Sequence, residues 1–79
     1  MKVGDIIRLK QPFCPDPRIY KAYRYAVVAE LIQPATGLAS AFPAEILVNL
    51  YDPVISEVYT DERGVKVLYV FYPEEIELA

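Results

Sequence analysis

The chain has 79 residues, a hydrophobic content of 54% and a formal net charge of −3. This length predicts one domain over residues 1–79, and such a short chain buries only about 60% of its unfolded surface. Its apolar content is too high for a disordered chain. No run of about 18 apolar residues predicts a membrane span. The single cysteine excludes an internal disulfide and fits a cytoplasmic location.

The first predicted strand covers residues 3–10, and Gly4 and Asp5 mark its entry. Residues 11–17 contain three prolines. Each proline removes a backbone donor and restricts the preceding residue, so this segment is predicted to be a loop. Phe13 and Tyr20 are candidate anchors for that loop.

Residues 18–32 fit either a helix or a strand. Asp16 and Pro17 suit the start of a helix, and several alanines favour one. The density of Tyr, Val and Ile and their partial alternation favour a strand over Tyr23–Ile32. We adopt the strand.

A loop of small residues is predicted over residues 33–43. Glu45–Tyr51 then alternates as a strand, with Ile46, Val48 and Leu50 on one face. Asp52 and Pro53 predict a turn, and Ile55–Thr60 a returning strand.

Four further elements complete the chain. They are a turn at Asp61–Gly64, a central strand over Val65–Tyr72, a short helical turn at Tyr72–Glu75 and a terminal strand over Ile76–Leu78. Five or six short antiparallel strands, with a helical turn before the last, predict an all-β, partly open barrel. Ile6, Ile7, Ile76 and Leu78 are candidate core contacts between the two ends.

The opening Lys2–Leu9 and the closing Phe71–Leu78 resemble the ends of SH3-like barrels. The interior Tyr25–Glu30 and Val48–Asp52 resemble the second and third strands of that group. The chain is also similar to small uncharacterised cyanobacterial proteins, through Val3-Gly4-Asp5, Leu50-Tyr51-Asp52-Pro53, and Phe71 followed by Pro73-Glu74-Glu75. This resemblance spans nearly the whole chain and implies an SH3-like fold, but no reaction.

Similar ends occur in the PsaE component of photosystem I, the variable chain of ferredoxin–thioredoxin reductase and the ferredoxin-docking component of the photosynthetic NDH-type complex. Resemblance to them implies a cofactor-free accessory protein that assists assembly or docks an acidic electron carrier. The proline-rich residues 11–17 and the alanine-rich residues 35–44 depart from that pattern, and such barrels hold their function in loops.

Charge is distributed unevenly along the chain. Residues 1–24 hold six basic groups against two carboxylates, a net charge of +4, whereas residues 25–79 hold two against nine, a net charge of −7. A basic surface of this kind would steer an acidic partner. A solvated loop that merely holds the lysines and arginines is the alternative.

The residues carry little that suggests catalysis. The chain has no histidine, which removes the usual base near neutral pH and the commonest transition-metal ligand. Cys14 is expected to be a partly covered, inert thiol, because a nucleophilic thiol needs a base or a strong local cation. The adjacent pairs Asp61-Glu62 and Glu74-Glu75 are expected to be solvated. We therefore predict neither an enzyme nor a cofactor or metal site.

Aromatic and basic residues interleave between the first two strands, which predicts a surface for an acidic protein partner such as an electron-transfer or photosynthetic complex. The predicted partner-binding residues are Arg8, Lys10, Phe13, Arg18, Tyr20, Lys21 and Arg24. A nucleic-acid- or ribosome-associated barrel is the alternative, and the net negative charge argues against it. Burial of Tyr23 or Tyr25 in the core is a further alternative for those rings. The chain is expected to be a monomer or a weak homodimer.

Overall fold

The computed structural model describes residues 1–33 and 44–79. It contains strands β1 (Ile6–Phe13), β2 (Tyr23–Ile32), β3 (Glu45–Asp52), β4 (Glu57–Val58), β5 (Tyr69–Phe71) and β6 (Ile76–Leu78), with a 3-10 turn at Pro73–Glu75. All pairings are antiparallel, in the order β4-β3-β2-β1-β6, and β5 pairs with β3 beside β4. This architecture confirms the predicted all-β, partly open barrel with a helical turn before the last strand. Among the described residues, no helix is long and apolar enough to cross a bilayer.

The two ends of the sequence meet, since β6 lies against β1 with Ile7 opposite Leu78 and Leu9 opposite Ile76. Ile7 and Ile76 are buried, as predicted, and Leu9 joins them in the core. Ile6 and Leu78 are exposed, which corrects their prediction as core contacts. Ile6 lies on the outer face, because successive side chains of a strand alternate. Leu78 lies at the end of the sheet, beyond the apolar cluster.

The strand interpretation of residues 18–32 is confirmed, because β2 has the predicted bounds Tyr23–Ile32. Its buried side chains are Tyr23, Ala26 and Val28, whereas Tyr25 and Val27 are half-buried on the outer face. A register shift after Val28 interrupts simple alternation in the pairing with β3. The inward tyrosine is therefore Tyr23.

Strand β3 forms the centre of the core. Ile46, Val48 and Leu50 are fully buried on one face, as their alternation predicts. β3 pairs with β2 along one edge and with both β4 and β5 along the other. Burial of three β-branched or leucine side chains stabilises the barrel by several kcal/mol, at about 1.5–3 kcal/mol each.

Three predicted boundaries are wrong. β1 continues through Phe13 into the predicted proline-rich loop. Pro12 falls within a register shift between Arg8 and Phe13, where β1 forms no ladder pair with β2, so its missing N–H is tolerated. β4 begins only at Glu57, because Ser56 has a positive φ of 56° that is incompatible with a strand.

The predicted central strand over residues 65–72 reduces to β5, Tyr69–Phe71, which pairs with β3 alone. Before it, the described segment forms a single isolated bridge between Thr60 and Lys66. The apolar, β-branched composition of this segment reflects strand propensity without a second strand to pair with. Residues 34–43 of the predicted loop over 33–43 lie outside the described residues.

Both predicted turns near the C-terminal half are confirmed. The Asp61 carboxylate accepts hydrogen bonds from the backbone N–H of Arg63 at 2.8 Å and Val65 at 3.0 Å. Gly64 has a φ of 80°, a left-handed conformation that glycine adopts without strain. At the 3-10 turn, the Glu75 carboxylate accepts from the Tyr72 N–H at 2.9 Å, which closes the turn before β6.

Candidate partner-binding surface

The segment between β1 and β2 folds around the carboxylate of Asp16. This carboxylate accepts the backbone N–H of Arg18 at 2.9 Å and two guanidinium hydrogen bonds from the same residue, each 3.0 Å long. The Ile19 N–H donates to the Asp16 carbonyl at 3.1 Å. An aspartate side chain that binds backbone two residues ahead forms a compact turn. The tip of this segment is therefore a defined structure.

A second carboxylate ties the same segment to the barrel. Lys21 Nζ lies 2.6 Å from the carboxylate of Asp52, at the end of β3, and 5.1 Å from the ring centre of Tyr23. Asp52 also accepts the Val54 N–H at 2.9 Å. Asp52 therefore organises the β3–β4 turn and holds the β1–β2 segment beside it.

Aromatic contacts support the segment from beneath. The rings of Tyr23 and Tyr59 pack edge to face with centroids 5.8 Å apart. Phe13 packs in the same manner on Tyr69 and Phe71, at 5.0 and 5.7 Å. The predicted partner-binding Phe13 is thus half-buried against the core, so its ring serves chiefly to anchor the end of β1.

Each of the two ion pairs exposes its cation more than its carboxylate. The Arg18 side chain is 74% exposed against 19% for Asp16, and Lys21 is 41% exposed against 16% for Asp52. Hydrogen bonds from these cations hold the pKa of Asp16 and of Asp52 below the ordinary value and raise the pKa of Arg18 and Lys21. All four groups are therefore charged near neutral pH, with the positive members facing solvent.

The remaining predicted cations lie in different surroundings. Arg8 is paired with Glu77 of β6 at 3.2 Å, and both side chains are about half exposed. Lys10 lines a cavity of about 270 Å³ with Glu74 and Glu75. Arg24 is exposed and shares the lining of a cavity of about 150 Å³ with Lys21. The structure thus brings Arg18, Tyr20, Lys21 and Arg24 to one region and places Arg8 and Lys10 elsewhere on β1.

Tyr20 stands out among the predicted residues because its side chain is 92% exposed. Its φ of 52° lies in the left-handed region, which is uncommon for residues other than glycine. Ile19 beside it is half exposed. An aromatic side chain held in solvent at a defined turn, between two exposed cations, is a typical protein-contact feature.

Val54 and Ile55 were not predicted as part of the site. They lie in the turn between β3 and β4, with Val54 89% exposed and Ile55 54% exposed. The sequence predicted Ile55 as a strand residue, which assigned its side chain to the sheet. The dipeptide Asp52-Pro53 signalled the turn, but nothing in the sequence showed that Lys21 would bring the two segments together.

On the other side of Tyr23, Arg18 and Ile19 face an acidic groove of about 460 Å³. Asp16, Tyr59, Thr60, Asp61 and Glu62 complete its lining. Burial raises the pKa of the Tyr59 hydroxyl, and the neighbouring carboxylates of Asp16 and Asp61 raise it further. The Glu62 carboxylate lies 4.0 Å from the Arg18 guanidinium, so this side of Arg18 is partly neutralised.

Cys14 is exposed, which corrects the expectation of a partly covered thiol. Its Sγ lies 3.3 Å from the Asp16 carbonyl oxygen, to which it donates. Across residues 1–33 and 44–79, the structure shows no group of three or more His, Cys, Asp or Glu side chains that could hold a metal ion.

Comparison of the chain with protein-family models, with curated proteins and with solved structures gave no match in any of the three.

Proposed function

We propose that the chain is a non-catalytic, cytoplasmic interaction module, built on an SH3-like barrel, that binds an acidic protein partner. Arg18, Tyr20, Lys21 and Arg24 form the contact surface. The observation that carries the proposal is the exposure of Tyr20 between two cations whose own carboxylate partners are tucked beneath them.

Charge orientation explains why pairing does not cancel this surface. An incoming carboxylate meets the exposed Arg18 and Lys21 before it meets Asp16 or Asp52. Arg24 has no ion-pair partner among the described residues and adds a positive charge next to Lys21. Complementary charge of this kind steers encounter and fixes orientation more than it adds affinity.

The Tyr20 ring supplies the affinity in this proposal. Tyrosine is enriched among the residues that dominate binding energy, because it buries a large area while ordering few torsions. Tyr20 is already held by the turn around Asp16, so binding orders little additional backbone. The partner is thus expected to bury the ring and to present carboxylates to the neighbouring cations.

Capture from native-cell extract, with the chain immobilised, tests the proposal. We expect Arg24→Glu and Tyr20→Ser each to lower recovery of the same partner about tenfold, which corresponds to a loss of about 1.4 kcal/mol. Arg63→Glu is the matched control, since it makes the same charge change on an exposed turn away from this surface. Equal recovery by all variants would rule the proposal out.

Nucleic acid is the second candidate, favoured by the same exposed ring between cations, on which a base can stack. Binding of this kind should be measurable at about 50 mM salt and weaken steeply as salt rises. A fluorescence titration with single-stranded RNA and DNA decides the matter. Saturable, salt-dependent binding that Tyr20→Ser removes would favour this candidate over a protein partner.

A further inference from the structure

The most exposed large apolar side chains of the described residues are Tyr20, at 92%, and Val54, at 89%. They lie on different segments that are far apart in sequence. The Lys21–Asp52 ion pair ties these segments together, with Tyr20 directly preceding Lys21 and Val54 two residues after Asp52. Two protruding apolar tips are therefore held side by side by one 2.6 Å contact.

Both tips are ordered in the same way. Asp16 accepts the N–H of Arg18, two residues ahead, and Asp52 accepts the N–H of Val54, also two residues ahead. Each aspartate thus forms a local turn that presents an apolar side chain. Because these turns exist before binding, a partner that covers both tips need not order either backbone segment.

Charge around the tips distinguishes among the possible occupants. Exposed Lys21 and Arg24 lie beside them, but so does exposed Glu57, three residues after Val54. A uniformly anionic bilayer would repel Glu57. A second copy in a two-fold contact would set Lys21 and Arg24 against their own counterparts. A protein surface can place its charges individually and fits this mixed arrangement.

We propose that Tyr20 and Val54 are paired anchors for one folded protein partner. They enter a single apolar patch of that partner, whose rim carries carboxylates opposite Lys21 and Arg24. This inference rests on the function proposed above and adds the β3–β4 turn to the contact surface.

Site-specific photo-crosslinking in native cells tests the pairing. A benzophenone amino acid is placed at position 20, 54 or 72 in turn. Position 72 is the matched control, because Tyr72 is half exposed but precedes the 3-10 turn. We expect positions 20 and 54 to give adducts with the same protein, identified by mass spectrometry, and position 72 to give none with it.

Mutual dependence gives the second readout. Val54→Ser should lower the adduct formed from position 20 about tenfold, and Tyr20→Ser should lower the adduct from position 54 to the same extent. Both side chains are exposed, so unchanged melting curves should show that the variants fold.

The outcomes separate this inference from the proposed function. An adduct from position 20 that Val54→Ser leaves unchanged would overturn the paired anchors and leave the proposed function standing. Absence of an adduct from either position would overturn both. An adduct with the mass of two copies, or binding to vesicles of phosphatidylcholine and phosphatidylglycerol that both serine variants abolish, would replace the protein partner by a second copy or by a lipid surface.

Discussion

Closure of the barrel by β6 can be tested at Ile76. Its side chain is 5% exposed and lies opposite Leu9 of β1, whereas Leu78, two residues later on the same strand, is 65% exposed. Both are aliphatic residues of the terminal strand. Truncation to alanine at each position therefore measures the same chemical change in two different environments.

Ile76→Ala removes buried methyl and methylene groups and leaves a cavity beside Leu9. Such truncations in protein cores cost about 2–5 kcal/mol. Because β6 pairs with one strand only, it can move to fill part of the cavity, which places Ile76→Ala near the lower end, at about 2–3 kcal/mol. We expect Leu78→Ala to cost less than about 0.5 kcal/mol, as exposed positions do.

Urea unfolding, followed by tyrosine fluorescence and circular dichroism, measures the difference. A domain of this size has a total stability of about 4–12 kcal/mol and a urea slope of about 1 kcal/mol per molar. Ile76→Ala should therefore lower the unfolding midpoint by about 2–3 M, and Leu78→Ala should leave it nearly unchanged. Equal losses in the two variants would show that β6 does not dock through Ile76.

Three further predictions concern charge, backbone and the thiol. The pKa values of Asp16 and Asp52 are depressed below 3.8, so their stabilisation is complete above the unfolded pKa and is lost as pH falls below about 4; Asp52→Asn should flatten the unfolding midpoint over pH 2–5, whereas the exposed control Glu74→Gln should not. Gly64→Ala should cost about 1 kcal/mol in thermal or urea unfolding through its φ of 80° alone, since no atom crowds the added Cβ, and a neutral result would contradict that turn. Cys14 should react with Ellman's reagent in the folded protein at a rate that denaturant does not raise tenfold or more, and protection of the thiol would contradict its exposure.

Sequence patterns predicted the elements that bury a regular face. β3 has its predicted inner face because Ile46, Val48 and Leu50 alternate with a period of two. β6 and the 3-10 turn were predictable because proline favours a first helical position and Glu75 can bond back to Tyr72. These signals are local, so no knowledge of the partner strand was needed.

Elements that depend on distant partners were not predictable in detail. Val65 and Leu68 have the side chains of a strand, yet both are exposed outside β5. β5 begins only where β3 offers an edge, and β3 is distant in sequence. Propensity therefore predicted a strand that was too long.

The candidate site shows the same limit. The contact between Asp16 and Arg18 spans two residues, and its spacing is visible in the sequence. The contact between Lys21 and Asp52 spans 31 residues, so its existence depends on how β2 and β3 pair. That contact brings Val54 to the surface, which explains why the sequence predicted Tyr20 but missed its neighbour.

The pairing of β1 with β6 also has a kinetic consequence. Arg8 and Glu77, which form an ion pair across these strands, are 69 positions apart in the sequence. Barrels dominated by such distant pairings fold on a timescale of about milliseconds to seconds, because a long loop must close before the contact stabilises it. During synthesis on the ribosome, the edge of β1 stays unpaired until β6 has emerged, and this edge is the part of the barrel that nascent-chain chaperones would have to protect.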